Sequence, residues 1–552
     1  METQSTPKSR EELLLELMRI PSVTGSVREN DAAVFIRERL ARLDYFRKNP
    51  SHLLMIPTPL EGDSRPLHTV AARMMAAAPT KKTVVFIAHY DVVGVDVYGE
   101  LSEFAFDPEE LARRFRADDL KGQARRDFLS GDFIFGRGSM DMKCGLALEM
   151  ELLRDCDADR GMIDLNVIVL VTPDEENTAC GMRGAVKYLA DLKRAESLEY
   201  IAGINTEPSD PGLPDAQNNL LFMGSIGKLL PAFYCAGLDA HVGNYYRGLS
   251  AALLSSNIVL EAEGAPELAD PCRGNCQPSW ICLCHKTLAE RYEVTVPNRS
   301  FAYFNAFTAT KTPAEIMEEM RKIAARAINA SLGRLKYSHD SLAKKGYAAP
   351  MREHDDARVL SFGEIFDAAA LRFEGGEAAF KARIRNFQKE LPREDTRDLG
   401  ILILEEAIRS TGTPPPFIAV GFLPPYVPAI TSLGGKKHSG ALIRAAEMVV
   451  SKARESYGVT LDITEFFAGI SDLSYLGFGG RREDIDTITK NCPGWGELYS
   501  VPIDELIEID MPVINIGPCG YDAHGKTERL ARKYSLEILP ELILFMLKTL
   551  SG

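Results

Sequence analysis

Seven side chains of the kinds that hold divalent cations sit in five short segments spread along the chain. His89 and Asp91 lie in Ala88-His89-Tyr90-Asp91, and Asp141 in the glycine-rich run Gly136–Gly145. Glu175 and Glu176 end Thr172-Pro173-Asp174-Glu175-Glu176, Glu207 follows Asn205-Thr206, and His524 closes Gly517–His524. Imidazole and carboxylate together suit zinc and its first-row neighbours, cobalt and manganese among them. Five carboxylates could not all stay ionised in one cleft without a counter-charge. If Asp141, Glu176 and Glu207 bind directly beside neutral His89 and His524, two dications and one hydroxide balance the charge. Two metals about 3.5–4 Å apart sharing a carboxylate are a known hydrolytic arrangement. Asp91 is then free to orient the imidazole of His89, and Glu175 to take a proton from the attacking water.

Taken singly, the segments are ordinary. His-x-Asp alone is more often a turn, and paired glutamates after a strand are commonly a solvated helix start. The Gly136–Gly145 run could cradle a phosphate, but it lacks the Gly-Lys-Ser/Thr ending of a nucleotide-binding loop. Their shared position removes the ambiguity. The runs TVVFIA (Thr83–Ala88), LNVIVLV (Leu165–Val171), YIAGIN (Tyr200–Asn205) and VINI (Val513–Ile516) read as buried strands. Each runs into one of these segments, and ligands of open α/β sheets bind at the carboxyl ends of strands.

Helical patterns separate the strands, at Arg10–Ile20, Glu29–Leu43, Ser439–Ser456 and Ser535–Leu550. The alternation predicts an α/β domain with a mostly parallel sheet covered by helices. The middle differs, with a helix at Ala251–Glu263, strands at Arg291–Val296 and Phe301–Thr308, and a helix from Pro313. We expect a catalytic domain over 1–216 and 341–552, interrupted by an α+β lid over 217–340. The strand Phe417–Phe422 is assigned to the catalytic part.

In order, these motifs resemble the dinuclear zinc aminoacylase, carboxypeptidase and desuccinylase family. The likeness runs through nearly the whole chain and implies a phosphorylase/hydrolase-like three-layer catalytic domain. Asp141 would bridge the metals, His89 and Glu207 would complete one site, Glu176 and His524 the other, and Glu175 would be the general base. Ala240-His241-Val242-Gly243 followed by Arg247–Ala251 resembles the family's lid motif. There the lid dimerises, and its histidine stabilises the oxyanion in a neighbouring active site. Val296–Asn305, Gly469–Ser474 and the length resemble the arginine-utilisation (Roc B) type. The lid lacks the arginine that grips a substrate carboxylate in better-known members, which leaves the substrate's terminus open.

The implied activity is hydrolysis of an amide or peptide bond in a small substrate. The competing readings are a catalytically degenerate binding protein and a metal-dependent phosphoesterase. The first should have lost a base or ligand, and all are present; the second should carry a phosphate-binding Arg/Lys motif beside the ligands, and none is evident. Cys272, Cys276, Cys282, Cys284 and His285 fall close together in the lid, but their spacing matches no common zinc module.

The 552 residues exceed what one hydrophobic core spans. The net charge of −14 argues against nucleic-acid and membrane-surface partners. No leader or spanning run is evident, and the cysteines are mostly scattered, so the cytoplasm is expected.

Overall fold

Unbroken apolar runs become central strands because both of their faces are covered. In the computed structural model the strands Lys82–His89, Asn166–Thr172, Glu199–Asn205 and Val513–Asn515 stand where the sequence places them. Asn166–Thr172 is buried along its whole length. The structure describes all residues except 1–4, 59–64, 210–218, 273–274, 289–292, 348, 355, 392–394 and 468.

The chain divides into two units. The first comprises Met1–Ile226, Ile430–Gly479 and Pro502–Gly552; the second comprises Gly227–Ala429 and Gly480–Val501. In the first, eight strands form one mixed sheet in the order Leu53–Pro57, His68–Met74, Asn166–Thr172, Lys82–His89, Glu199–Asn205, Val513–Asn515, Asn219–Phe222, Leu461–Thr464. The four strands from Asn166–Thr172 through Val513–Asn515 run parallel. Register sets His89 opposite Thr172, and Asn205 opposite both Ile87 and Asn515, so these strands end level.

Helices Pro7–Met18, Glu29–Leu40, Lys143–Ala158, Ser439–Tyr457 and Leu539–Ser551 pack on one face, around Val84, Phe86, Val169 and Ile514. Helix Cys180–Glu196 covers the other face, and Ile503–Ile509 packs against it. This is the expected three-layer α/β arrangement. Residues 96–130 form short helices around Tyr98, Leu111, Phe115 and Phe135, an excursion that the sequence reading did not resolve.

The second unit has its own five-stranded sheet, ordered Ile281–Thr287, Arg299–Thr308, Gly227–Ala236, Phe417–Val427, Arg358–Ser361. Helices Ala251–Ala262 and Pro313–Ala343 lie against it. Helices Phe362–Arg372, Gly376–Glu390 and Thr396–Thr411 share a core with Leu230, Tyr234, Phe417 and Ala419. This corrects the expected boundary at 340, which falls inside the helix Pro313–Ala343. Residues 341–429 belong to the second unit because Phe417–Val427 pairs antiparallel with Gly227–Ala236. An apolar strand reads the same whichever sheet it joins, and that is why the sequence misplaced it. The strand expected at Arg291–Val296 is also corrected. The partner of Arg299–Thr308 is Ile281–Thr287, and the described residues 293–296 contribute only an isolated bridge at Thr295. Among the described residues, no helix is long and apolar enough to cross a membrane.

Candidate metal centre

Strand Lys82–His89 delivers His89 to the carboxyl edge of the sheet with its imidazole 1% exposed. Its Nδ1 donates to the main-chain carbonyl of Asp91 at 2.9 Å, which fixes the tautomer and leaves Nε2 as the acceptor. The Asp91 carboxylate was expected to do this, but it stands 3.5 Å away. Asp91 instead accepts from the amides of Glu175 (3.2 Å) and Glu176 (3.3 Å), with Thr24 Oγ1 donating to it at 2.9 Å. It therefore serves the amides of the paired glutamates while its Oδ1 stays within ion-pair distance of the His89 ring, a backbone role that residue spacing cannot reveal.

The glycine-rich turn exists to bring Asp141 close. Gly138 takes φ +76°, a left-handed conformation that favours glycine. At Gly145, in the first turn of the following helix, a Cβ would stand 2.3 Å from the Thr206 carbonyl oxygen. Only glycine lets that helix pass the segment carrying Glu207. Asp141 then presents its two oxygens to two different histidines. Oδ1 lies 3.2 Å from His89 Nε2, and Oδ2 lies 3.1 Å from His524 Nε2.

The remaining donors complete two sets about Asp141. Glu207 Oε1 is 3.2 Å from His89 Nε2, and Glu176 Oε1 is 3.1 Å from His524 Nε2. Glu175 lies beside the first set, its carboxylate within 4.8 Å of donor atoms of both His89 and Glu207. His524 differs from His89 in its support. It sits on a loop at φ +64° with its side chain 51% exposed.

These separations test whether a metal fits. His89 Nε2 is buried and makes no hydrogen bond. Two donors on one tetrahedral zinc at about 2.0–2.1 Å lie about 3.3 Å apart. The distances of 3.1 and 3.2 Å here accommodate donors sharing an ion as well as the hydrogen bonds and ion pairs that protonated groups make in its place. Charge agrees. Burial pushes Glu207 up to about 7 with Asp141 adding to it, against the pull of His89. Burial also raises Glu176 and raises Glu175 well above the usual carboxylate range, with neighbouring carboxylates adding to it. His89 is pulled down by burial, yet Glu207, Asp141 and Asp91 outweigh that and raise it well above its ordinary value. Asp141 and Glu176 push His524 up to about 10. Protons hold this cluster together, and a dication would displace them. The donor set fits the metal.

Asp472 escaped the sequence reading as a site residue. It is buried, its Oδ2 accepts from Thr172 Oγ1 at 2.7 Å, and its charge adds to those around Glu175. Asn515 also supports the site, donating from Nδ2 to the Glu207 carbonyl at 2.9 Å. The segment Gly469–Ser474 was visible only as a family likeness, because no strand runs directly into Asp472.

His241 lies in the second unit on an exposed turn, its Nδ1 accepting from the amide of Gly243 at 3.1 Å. Cys282 and Cys284 lie on the edge strand Ile281–Thr287, and His285 Nε2 pairs with Ser255 Oγ at 2.8 Å. No metal-sized donor cluster among the described residues includes them. The side chains of Cys272 and Cys276 lie outside the described residues.

Residues 85–551 match the model of Peptidase family M20/M25/M40. YqjN of Bacillus subtilis strain 168 is 31% identical over 546 residues, covering 98% of this chain and 95% of that protein. Protein RocB of the same organism is 29% identical over 547 residues, covering 97% and 93%. A succinyl-diaminopimelate desuccinylase of Methylorubrum extorquens is 29% identical over 232 residues, 42% of this chain and 51% of that one. Among solved structures, an M20-family metallo-carboxypeptidase of Sulfolobus solfataricus superposes with a TM-score of 0.54 at 12% identity, covering 98% of this chain and 99% of that one. A tripeptidase of Staphylococcus aureus gives 0.53 at 13%, covering 100% of both chains. At these identities the structures speak for the fold.

Proposed function

The chain belongs to peptidase family M20/M25/M40 and is a metal-dependent hydrolase, and we propose that two divalent cations, zinc by preference, serve it in cleaving an amide or peptide bond of a small substrate. The observation that carries the two-cation reading is Asp141, whose two oxygens face His89 and His524 separately. His89 and Glu207 would hold one ion, Glu176 and His524 the other, with Asp141 between them. When bound, the pair supplies Lewis-acid polarisation of the scissile carbonyl and lowers the pKa of the attacking water.

The chain's own residues do the rest. Glu175 lies beside His89 and Glu207 without being needed as a ligand in either donor set, so it is free to accept a proton from the attacking water. The same carboxyl then returns that proton to the departing amine nitrogen. Asp91 accepts from the Glu175 and Glu176 amides, fixing the backbone that carries both base and ligand. The lid likeness supports a homodimer in which His241 donates to the oxyanion of the partner's site. If so, His241→Ala should lose roughly 10²–10³-fold in turnover, and mixing it with Glu175→Gln should restore activity through exchanged subunits. No recovery from co-expressed chains would refute the trans arrangement.

The test of the main reading is a screen of N-acyl amino acids and dipeptides with zinc, cobalt or manganese added. Arginine-containing amides belong in it because of the Roc B likeness. Turnover should vanish in chelator and return with metal. Full activity in protein stripped of metal would sink the reading.

A further inference from the structure

Two charged side chains to which the sequence reading assigns no role are among the most deeply buried in the first unit, Arg137 at 1% exposure and Glu528 at 0%. They form an ion pair from Arg137 Nη1 to Glu528 Oε2. Their remaining atoms reach outward. Arg137 Nη2 donates to the His524 carbonyl at 2.9 Å and to the Gly94 carbonyl at 3.1 Å. Glu528 Oε1 accepts from the amides of Met140 at 3.3 Å and Asp141 at 3.5 Å. One ion pair thus ties together three segments: the loop leaving His89, the turn carrying Asp141, and the loop carrying His524.

Stability alone does not explain such a pair, since desolvating two charges offsets most of their attraction and an apolar pair can serve as well. Position does. Asp522 and His524 both take left-handed backbone, at φ +61° and +64°, which costs non-glycine residues energy unless the surroundings hold them there. The His524 side chain is half exposed, so packing does not fix it, whereas the hydrogen bond from Arg137 grips its carbonyl.

We infer that Arg137 and Glu528 are positioning residues for the half-site formed by Asp141, Glu176 and His524, setting its affinity for a metal that they do not touch. The inference rests on the two-cation reading above. It requires the His89 half-site, which is built on a strand end, to depend on the pair much less.

The test is cobalt titration of metal-stripped full-length protein, read by calorimetry and by the visible absorption of the bound ion. Glu528→Gln and Arg137→Lys should each leave one ion bound nearly as in the wild type and weaken the other by about 10–100-fold, the usual cost of losing such a supporting contact. Leu542→Ala, which truncates a fully buried core side chain, should lower the melting temperature without changing either affinity. Should Glu528→Gln not fold, Glu528→Asp keeps the charge and shortens the reach, and the same split is expected. Wild-type affinity for both ions in folded variants overturns the inference, as does equal weakening of both ions or equal weakening in Leu542→Ala. A wild type that binds fewer than two ions overturns the two-cation reading instead, and this inference with it.

Discussion

The two histidines of the centre reach the same carboxylate by different means. His89 ends a buried strand paired on both sides, and its tautomer is set by a carbonyl two residues away. His524 lies on a loop beyond the strand Val513–Asn515, at left-handed φ, with half its side chain in solvent. Sheet geometry places the first; the second depends on hydrogen bonds from elsewhere in the chain. Half of the centre is therefore built into the fold, and half is held by contacts that local opening can break. A metal should be kept firmly on the His89 side and exchanged more readily on the His524 side.

The largest effect should come from the residue that both halves share. Asp141→Asn removes a negative charge from both donor sets, so metal content should fall at both sites and turnover should drop to the level of chelator-treated protein. Elemental analysis after dialysis checks this. Two ions retained at full occupancy would mean that Asp141 does not bridge.

Next come the paired glutamates, one from each function. Glu175→Gln should cut turnover by about 10²–10⁴-fold, the range for loss of general-base catalysis, while metal content stays near that of the wild type. Glu176→Gln should lower occupancy on the His524 side. Equal metal loss in both variants would remove Glu175 from its role as base. The histidines sharpen the contrast further. His524→Ala should lose one ion with little change in melting temperature, whereas His89→Ala should lose metal and also destabilise the fold, because it leaves a buried gap at a strand end. Identical losses of stability would erase the distinction between a built half and a held half.

The clustering of these side chains was legible in the sequence because four parallel strands end level, so each apolar run points at the residues just after it. That rule finds His89, Glu175, Glu176 and Glu207, and His524 with a longer loop. It does not find Asp472, which no strand precedes, nor Arg137 and Glu528, whose significance lies in contacts across about 390 residues of chain. Residue type told only part of the story at Asp91: its carboxylate stands 3.5 Å from His89 Nδ1, but the shorter bond to that nitrogen is made by the peptide carbonyl, and the carboxylate also serves two amides. The extent of the second unit was hidden for a related reason. The composition of Phe417–Val427 shows that it is buried, not which sheet buries it.

The smallest expected effect is on stability against pH, and it separates the metal-loaded from the metal-free protein. Without metal, burial and neighbouring carboxylates raise Glu207 from 4.5 to about 7 and Asp472 from 3.8 to about 7. A carboxyl group raised in the fold favours the folded state fully below its unfolded value, and that contribution is lost as pH rises through its folded value. The carboxyls therefore cost the metal-free fold stability between about pH 4 and 7. The histidines act in the same direction. His524 is raised from 6.5 to about 10, so its contribution is present below 6.5 and disappears as pH climbs towards 10. Asp141 is lowered by its two histidines and opposes the trend only in acid, below its unfolded value of 3.8. The stability of chelated protein, read as its melting temperature, should thus fall steadily from pH 5 to 9. Other buried acids, Glu29 raised to about 8 and Glu528 to about 7 chiefly by burial, add to the same slope. The informative quantity is consequently the difference between loaded and chelated curves, which should widen with pH as the ion takes the place of the protons. Parallel curves across pH 5 to 9 would mean that the carboxylate cluster does not hold the metal.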